Sequence, residues 1–207
     1  MYKFNENIEK EYLVISKNPS TGCQQKYYKD GYWYKIDNFG GEAISEELAT
    51  KVLDYSGIEL NKYVKYERGL VNGSNACRSK NCLSKEQALY SLEKIYQQDL
   101  QNSLTTHIKQ YKTGKERYDF VTDYFYEKHG VDIAGELEAI FFLDKIILNE
   151  DRHLNNIFLI YENGIFKPAP ILDNGTSLFV GNDSVKKQTS NHRKHKKDQC
   201  KTFFYFI

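Results

Sequence analysis

Residues Leu148–Leu178, LNEDRHLNNIFLIYENGIFKPAPILDNGTSL, join a polar loop to a hairpin and a final acidic turn. An apolar pattern at helical spacing precedes the loop and predicts a helix over residues Ile133–Leu148, which Asp132 can cap. The polar run NEDRHLNN interrupts this pattern and predicts a loop. Asn163-Gly164 favours the positive φ angles of a tight turn, so the apolar residues on its two sides predict a β-hairpin.

Three side chains of this stretch fit the chemistry of phosphoryl transfer. The reaction needs a carboxylate that receives the proton of the attacking hydroxyl, and an amide and a second carboxylate that hold magnesium against the phosphates. Asp151 fits the first role, and Asn156 and Asp173 fit the two metal-binding roles. Arg152 and His153 are predicted to support the catalytic loop. The ordinary alternative is that acids and asparagines simply crowd a polar loop.

The spacing of these residues resembles a known kinase pattern. Asp151 and Asn156 are five residues apart, like the catalytic Asp and the metal-binding Asn of the motif HRDLxxxN. Asp173 stands where the Asp of the DFG motif would stand. The order Asp-Arg-His departs from HRD, and it resembles two groups with atypical kinase folds: HipA-like serine/threonine kinases and phosphoinositide 3/4-kinases.

The composition describes a folded protein without an export or membrane signal. Hydrophobic residues make up 40% of the 207 residues and aromatic residues 14%, as is typical of a globular domain. No leader and no apolar run of membrane length is found, so we expect a cytoplasmic protein without a membrane partner. The cysteines show neither a CxxC nor a zinc spacing, and we expect free thiols at Cys23, Cys77, Cys82 and Cys200.

A polar loop near the start of the chain is a candidate for phosphate binding. Tyr12–Ile15 is predicted as a strand, and a loop with Ser20, Thr21 and Gly22 follows it before a hairpin around Asp30-Gly31. Backbone amides and hydroxyls of such a loop can lie over phosphates, although an ordinary surface turn is the alternative. The residues GCQQK, 22–26, resemble the G-x-Q-x-K phosphate-loop stretch of HipA-like kinases, which implies that Lys26 lies near ATP.

A lysine inside an apolar strand is the next candidate. Lys35 lies in the aromatic strand Tyr32–Ile36, where a lysine either extends to the sheet edge or faces a ligand. The resemblance to kinases implies that it holds ATP phosphates and pairs with a glutamate of the next helix. Projecting the predicted helix Ser45–Tyr55 at about 100° per residue puts Glu46 at the edge of its apolar face, within reach of Lys35. Glu42, at or before the helix start, is the alternative partner.

The remaining patterns predict a small sheet and further helices. Tyr63–Glu67 and Leu70–Cys77, separated around Gly69, are predicted as strands. Helices are predicted at Ser84–Gln97 and Tyr118–His129, with a polar connection between them. The chain therefore divides into a sheet-rich part followed by a mainly helical part.

The order of these motifs resembles a compact HipA-like kinase. The resemblance implies an α+β, protein-kinase-like fold of two lobes: a nucleotide-binding lobe at residues 1–81 and a helical lobe with the catalytic loop and the DNG acid at residues 82–181. It implies a serine/threonine kinase that uses ATP and Mg²⁺ on a protein substrate. The longer toxins of the family also imply an antitoxin-type partner.

We expect the helical lobe to be incomplete. Members of the family continue with further helices after the DNG acid, whereas this chain ends at Ile207 and has no such apolar pattern after Leu178. Phe142 and Leu143 of the helix before the catalytic loop are therefore expected to stay partly uncovered. We expect marginal folding and weak turnover for the same reason.

The last residues of the chain differ in character from the rest. Residues 182–207 contain seven Lys or Arg against two Asp and end in Phe-Phe-Tyr-Phe-Ile. A basic run can bind nucleic acid weakly through phosphates. A solvated, disordered tail or an aberrant segment from a reading-frame change are the alternatives.

Two other functions also fit the motifs. A phosphoinositide-type lipid kinase shares DRHLNN, but such an enzyme would need a basic membrane-facing segment, and NGTSLFVGND after Asp173 is not basic. A nucleotide-binding pseudokinase or interaction module would keep the same residues without turnover.

Overall fold

A computed structural model describes residues 1–15, 24–149, 151–178 and 180 of the chain. The described residues form two compact units. The first unit contains residues 1–82 and residues 173–180, and the second unit contains residues 83–172.

The first unit is a five-stranded sheet with one long helix. Its elements are β1 (Asn5–Glu6), β2 (Lys26–Lys29), β3 (Tyr32–Ile36), α1 (Glu42–Tyr55), β4 (Tyr66–Val71) and β5 (Ser74–Lys80), with short 3₁₀ turns at Lys10–Tyr12 and Leu60–Lys62. The strand order is β1-β4-β5-β3-β2. Only the β1–β4 pair of this described sheet is parallel. One core cluster of the sheet contains Phe4, Ile8, Tyr27, Tyr34, Val71 and Ala76.

The second unit is mainly helical and carries a small antiparallel sheet. Its elements are β6 (Ala88–Ser91), α2 (Leu92–Leu100), α3 (Leu104–His107), α4 (Gly114–His129), α5 (Ala134–Ile147), β7 (Phe158–Glu162) and β8 (Ile165–Pro168), with a 3₁₀ turn at Ile108–Gln110. The sheet order is β6-β7-β8. Its fully buried side chains come from both the helices and the sheet, and they include Leu92, Tyr96, Leu104, Phe125, Leu137, Leu143 and Leu159.

Two predicted hairpins are confirmed because their turns carry residues suited to positive φ. Asp30 and Gly31 have φ values of 50° and 80°, and they connect β2 to β3. Asn163 and Gly164 have φ values of 50° and 87°, and they connect β7 to β8. Both pairs occupy the two central positions of a tight turn whose twist matches that of the strands.

The predicted break between strands at Gly69 is wrong. Gly69 lies inside β4, and the turn to β5 is formed by Asn72 and Gly73 with φ values of 51° and 79°. Packing requires glycine at position 69, because a Cβ there would collide with the carbonyl oxygen and ring of Phe4. A glycine inside a strand can thus mark the close approach of another backbone rather than a turn.

The predicted helix Ser84–Gln97 is also wrong in its first half. Ala88–Ser91 is strand β6, which pairs with β7. Helix α2 begins only at Leu92, where the Ser91 hydroxyl accepts a hydrogen bond from the Lys94 amide. The pairing of Ala88–Ser91 with a strand some seventy residues later is a tertiary contact that local sequence does not encode.

Other element boundaries shift from their predicted positions. Tyr12–Ile15 is not a strand: Tyr12 ends a 3₁₀ turn, and Leu13 makes a single antiparallel bridge with Tyr27. Helix α4 begins at Gly114 rather than at Tyr118, because Thr113 and Glu116 form a reciprocal capping box. Helix α1 begins at Glu42 rather than at Ser45.

Helix α5 partly meets the expectation of an uncovered side. Phe142 is 66% exposed and Ile146 is 48% exposed, whereas Leu143 is buried. The expected exposure is therefore present at Phe142 and absent at Leu143. The buried face instead contains Leu137, Ile140 and Ile147.

The predicted free thiols are present at two of the four cysteines. Cys77 is buried and Cys82 is exposed, and both are unpaired. Cys23 and Cys200 lie outside the described residues. Over the same described ranges, none of the helices combines the length and the hydropathy of a membrane-spanning segment.

We predict that Gly69→Ala lowers the free energy of unfolding of the first unit by about 1 to 3 kcal/mol, because the new Cβ must displace Phe4. Urea unfolding followed by the fluorescence of Trp33, the single tryptophan, measures this change. Gly135→Ala is the control: it lies in α5 with open space at its Cβ, and it should stabilise the helix by about 0.5 to 1 kcal/mol. An unchanged midpoint for Gly69→Ala would contradict the packing described for Phe4.

Candidate active site

A buried lysine holds two carboxylates together in the first unit. Lys35 Nζ lies 2.8 Å from Glu46 Oε1 and 2.9 Å from Asp173 Oδ1. Its side chain is 11% exposed, that of Glu46 is 1% exposed and that of Asp173 is 32% exposed. The ammonium also lies 5.0 Å from the centre of the Tyr66 ring. The predicted contact between Lys35 and Glu46 is therefore present, and Asp173 joins it.

Glu46 uses both of its carboxylate oxygens. Oε1 accepts from Lys35, and Oε2 accepts a 3.0 Å hydrogen bond from the backbone amide of Asn174. The turn after Asp173 is fixed further by Ser45, whose hydroxyl donates to the Ser177 carbonyl at 3.0 Å. Helix α1 thus binds the turn that carries Asp173. Asp173 itself has a φ of 65°, in the left-handed region that aspartate tolerates better than most residues.

Glu42, the alternative partner of Lys35, has a different role. Its carboxylate accepts four backbone N–H groups, at distances of 2.8 to 3.1 Å, from residues 38 to 41. These amides precede α1, so Glu42 stabilises the start of the helix that carries Glu46. Both carboxylate oxygens of Glu42 therefore bind backbone amides, and the glutamate that pairs with Lys35 is Glu46.

The electrostatics of the cluster keep Lys35 charged. Burial by itself would lower the pKa of Lys35, but the carboxylates of Asp173 and Glu46 raise it more strongly, so the pKa lies well above its usual value. Lys26 is the cross-strand partner of Lys35 in the β2–β3 ladder. Burial, together with the charge of Lys35, lowers the pKa of Lys26. Two lysines therefore share one face of this ladder.

Three predicted phosphate-binding residues, Ser20, Thr21 and Gly22, lie outside the described residues. Lys26, which follows them, begins strand β2. Of the four residues predicted to bind phosphate in this segment, the structure thus describes only Lys26.

The second unit carries the predicted catalytic loop between α5 and β7. The Asp151 side chain is 50% exposed, and its Oδ1 lies 3.8 Å from His153 Nε2. Asn156 Nδ2 donates a 3.0 Å hydrogen bond to the Asp151 carbonyl, which orients the amide and turns its Oδ1 away from that carbonyl. Within the described residues, the buried His153 Nδ1 has no hydrogen-bond partner. The structure therefore brings Asp151, His153 and Asn156 together in one loop.

Arg152 lies under this loop in a buried ion pair that was not predicted from the sequence. Its Nε donates to Asp144 Oδ2 at 3.0 Å, and both side chains are 1% exposed. Asp144 belongs to the last turns of α5, between the buried residues Ile140 and Ile147. A carboxylate on the apolar face of a helix is a sequence signal for a buried cationic partner, and it could have identified Asp144.

No cluster of three or more His, Cys, Asp or Glu side chains suited to a metal ion occurs in the described part of the chain. A hard cation bound by only one or two protein ligands takes its remaining ligands from phosphates and water. Sites of that kind are typical of Mg²⁺ in phosphotransferases.

Comparison with known proteins finds similarity in structure only. No protein-family model and no curated protein sequence matches the chain. The crystal structure of the Helicobacter pylori proinflammatory kinase CtkA matches with a TM-score of 0.59 at 17% identity, over 89% of this chain and 64% of that one. A chain of the Shewanella oneidensis MR-1 complex of HipA, HipB and its operator DNA matches with a TM-score of 0.50 at 13% identity, over 77% of this chain and 43% of that one.

The chain has a HipA-like, kinase-type fold. The α+β class predicted from the sequence is confirmed. At these identities the likeness establishes the fold alone. The chain spans 64% and 43% of the lengths of the two chains that it matches.

We predict that Glu46→Gln destabilises the first unit of this kinase-type fold by about 3 kcal/mol, because the buried Lys35 loses one of its two charged partners. Glu47→Gln is the matched control on the same helix: Glu47 lies 3.5 Å from Arg68, and its loss should cost less than about 1 kcal/mol. Urea unfolding followed by Trp33 fluorescence measures both. Equal shifts of the two midpoints would show that Lys35 does not depend on Glu46.

Proposed function

We propose that the chain is an ATP-dependent, Mg²⁺-requiring serine/threonine protein kinase. The observation that carries this proposal is the buried Lys35 ammonium with Glu46 on one side and Asp173 on the other. A lysine fixed by a helix glutamate beside a partly exposed aspartate is the arrangement that kinases use for the nucleotide phosphates and their metal. The kinase-type fold supports the same proposal.

The proposed nucleotide-binding residues lie in the first unit. Lys35 would bind the phosphates, and Glu46 would hold the lysine in place. Lys26 fits a second phosphate contact, because it shares the face of the β2–β3 ladder with Lys35. The loop residues Ser20, Thr21 and Gly22 complete the proposed ATP-binding set, on the basis of the phosphate-loop resemblance in the sequence.

The proposed catalytic residues lie in the loop of the second unit. A carboxylate oxygen of Asp151 would accept the proton of the acceptor hydroxyl, and its half-exposed side chain is open to a substrate. Arg152 would hold the loop through Asp144, and His153 would support Asp151 from 3.8 Å. The exposed carboxylate of Asp151, in a loop held by the Arg152–Asp144 pair, favours a role as the general base.

Asn156 and Asp173 fit the proposed magnesium site. Mg²⁺ prefers oxygen ligands, and the Asn156 Oδ1 and the carboxylate of Asp173 are of that kind. The bond from Asn156 Nδ2 to the Asp151 carbonyl fixes which end of the amide can serve. When bound, the metal would neutralise charge on the phosphates. Asn156 and Asp173 would each supply one oxygen ligand.

A protein substrate is favoured over a lipid. The residues after Asp173, NGTSLFV, carry no basic side chain that could face an anionic membrane. A toxin-like role with an antitoxin-type partner rests only on the likeness to the complex that contains HipA and HipB. We place the proposed enzyme in the cytoplasm and assign ATP binding to residues 1–81 and catalysis to residues 82–181.

We predict that Asp151→Asn lowers phosphate transfer by about 10² to 10⁴-fold, because the amide keeps the shape of the side chain but cannot take the proton. The affinity for ATP with Mg²⁺ should stay within twofold, since the proposed phosphate ligands are elsewhere. Phosphate incorporation from γ-labelled ATP into the chain itself and into casein measures transfer, and calorimetry measures affinity.

Asp123→Asn is the control for Asp151→Asn, because it removes the same charge from an exposed position of α4. Full transfer by Asp151→Asn would remove Asp151 from the base role. Tight ATP binding by the wild-type chain with no transfer to any acceptor would instead favour the pseudokinase alternative.

We predict that Asp173→Asn removes the magnesium-dependent part of ATP binding, a loss of at least about tenfold in affinity. Asparagine also tolerates the φ of 65° at this position, so the substitution tests the charge without straining the backbone. Calorimetry with ATP in the presence and absence of Mg²⁺ measures the effect. Equal affinities with and without the metal in the wild type, or an unchanged metal dependence in the variant, would exclude Asp173 as a ligand.

A further inference from the structure

Three buried polar side chains hold the backbone of the catalytic loop. Asp144, Asn149 and Arg152 are 0%, 1% and 2% exposed, which is unusual for residues of these types. All three belong to the second unit, and their hydrogen bonds connect the end of α5 to the loop before β7. A buried carboxylate, amide and guanidinium need well-formed partners to offset the loss of water.

Asn149 connects the carboxylate of Asp144 to the backbone of the proposed base. Its Nδ2 donates to Asp144 Oδ1 at 2.9 Å, and its Oδ1 accepts from the backbone amide of Asp151 at 3.1 Å. Its own backbone amide donates to the Asp144 carbonyl at 2.9 Å. The two side-chain bonds fix the orientation of the amide, because only the Nδ2 end can donate to the carboxylate.

Arg152 extends the same network to two further points of the chain. Its Nη1 donates to the carbonyl of Asn156 at 3.0 Å and to the carbonyl of Leu172 at 2.9 Å, while Nε and Nη2 bind Asp144. Leu172 is the residue before Asp173 in the chain. The network therefore bonds to backbone groups at, or next to, each of the three proposed functional residues of the loop and the DNG turn.

We propose that Asn149 is a positioning residue for phosphoryl transfer, which sets the backbone of Asp151 and thereby the direction of its carboxylate. This inference rests on the proposed kinase function. A buried ion pair such as Arg152–Asp144 adds little net stability compared with apolar packing, but it restricts the conformations that its partners can take. Misplacement of a reacting group by about 1 Å can lower a rate by about 10²-fold. Loss of the Asn149 side chain should therefore lower the rate of phosphoryl transfer rather than the affinity for the nucleotide.

The central test is Asn149→Ala. We expect kcat for transfer from γ-labelled ATP to fall at least tenfold, while the dissociation constant for ATP with Mg²⁺ stays within threefold, because Lys35 and Glu46 are untouched. Asn102→Ala is the matched control: the Asn102 side-chain oxygen also accepts a backbone amide, that of Ser103, but on an exposed turn. It should change neither quantity.

Asn149→Asp separates positioning from general support of the fold. Its carboxyl can still accept from the Asp151 amide, but it can donate to Asp144 only when protonated. The Asp144 carboxylate favours the protonated form, and the Arg152 guanidinium that binds the same carboxylate opposes it only in part, because its charge is already paired. Its kcat relative to wild type should therefore rise as the pH falls from about 8 to about 6. A kcat ratio that is constant over this range would overturn the inference.

Hydrogen exchange supplies a readout that does not require activity. Asn149→Ala should lose protection at the Asp151 amide while α5 and β7 keep theirs. A wild-type chain that binds or transfers nothing from ATP would defeat the proposed function, yet loss of protection confined to the loop would still support the positioning contact. Unchanged protection at Asp151, broad loss of protection through α5, or a kcat within twofold of wild type would each overturn the assignment to Asn149.

Discussion

The structure of the first unit depends on the ion pairs of one buried lysine, Lys35, with Glu46 and Asp173. The Lys35 side chain is almost fully buried, and an unpaired charge there would raise the free energy of the folded state. Glu46 and Asp173 remove that cost, and in doing so they fix α1 and the turn after Leu172 to strand β3. The second carboxylate oxygen of Glu46 accepts a hydrogen bond from the Asn174 amide. Replacing any one of these three side chains should therefore disturb α1, β3 and the turn that carries Asp173.

The second unit solves a similar problem with a different cation. Arg152 is buried against Asp144, and its Nη1 donates to the backbone carbonyls of Asn156 and Leu172. The planar guanidinium can reach several acceptors in fixed directions, which an ammonium cannot do as well. In both units the buried cation orders a segment, and the proposed functional acids, Asp173 and Asp151, lie on that segment with part of their surface open to solvent.

The errors in predicting the fold have a common physical origin. Turns encoded by two adjacent residues, such as Asp30-Gly31, were predicted correctly because positive φ is a local property. Gly69 was wrongly predicted as a turn, because glycine is required there by the close approach of Phe4, more than sixty residues away in the chain. Ala88–Ser91 was predicted as helix because its pairing with β7 is not visible in a local window. Sequence patterns therefore identified most elements, and long-range contacts decided the boundaries.

The sequence by itself determined the α+β class and brought Asp151, His153 and Asn156 into one loop, because their spacing is short enough for local structure to fix it. Helical projection also selected Glu46, since the direction of a side chain on a helix follows from its position. Only the tertiary structure decided that Glu42 binds the backbone before α1. It alone revealed the hydrogen bonds of Asp144 and Asn149, because the partners of a buried polar group are set by packing rather than by its neighbours in sequence.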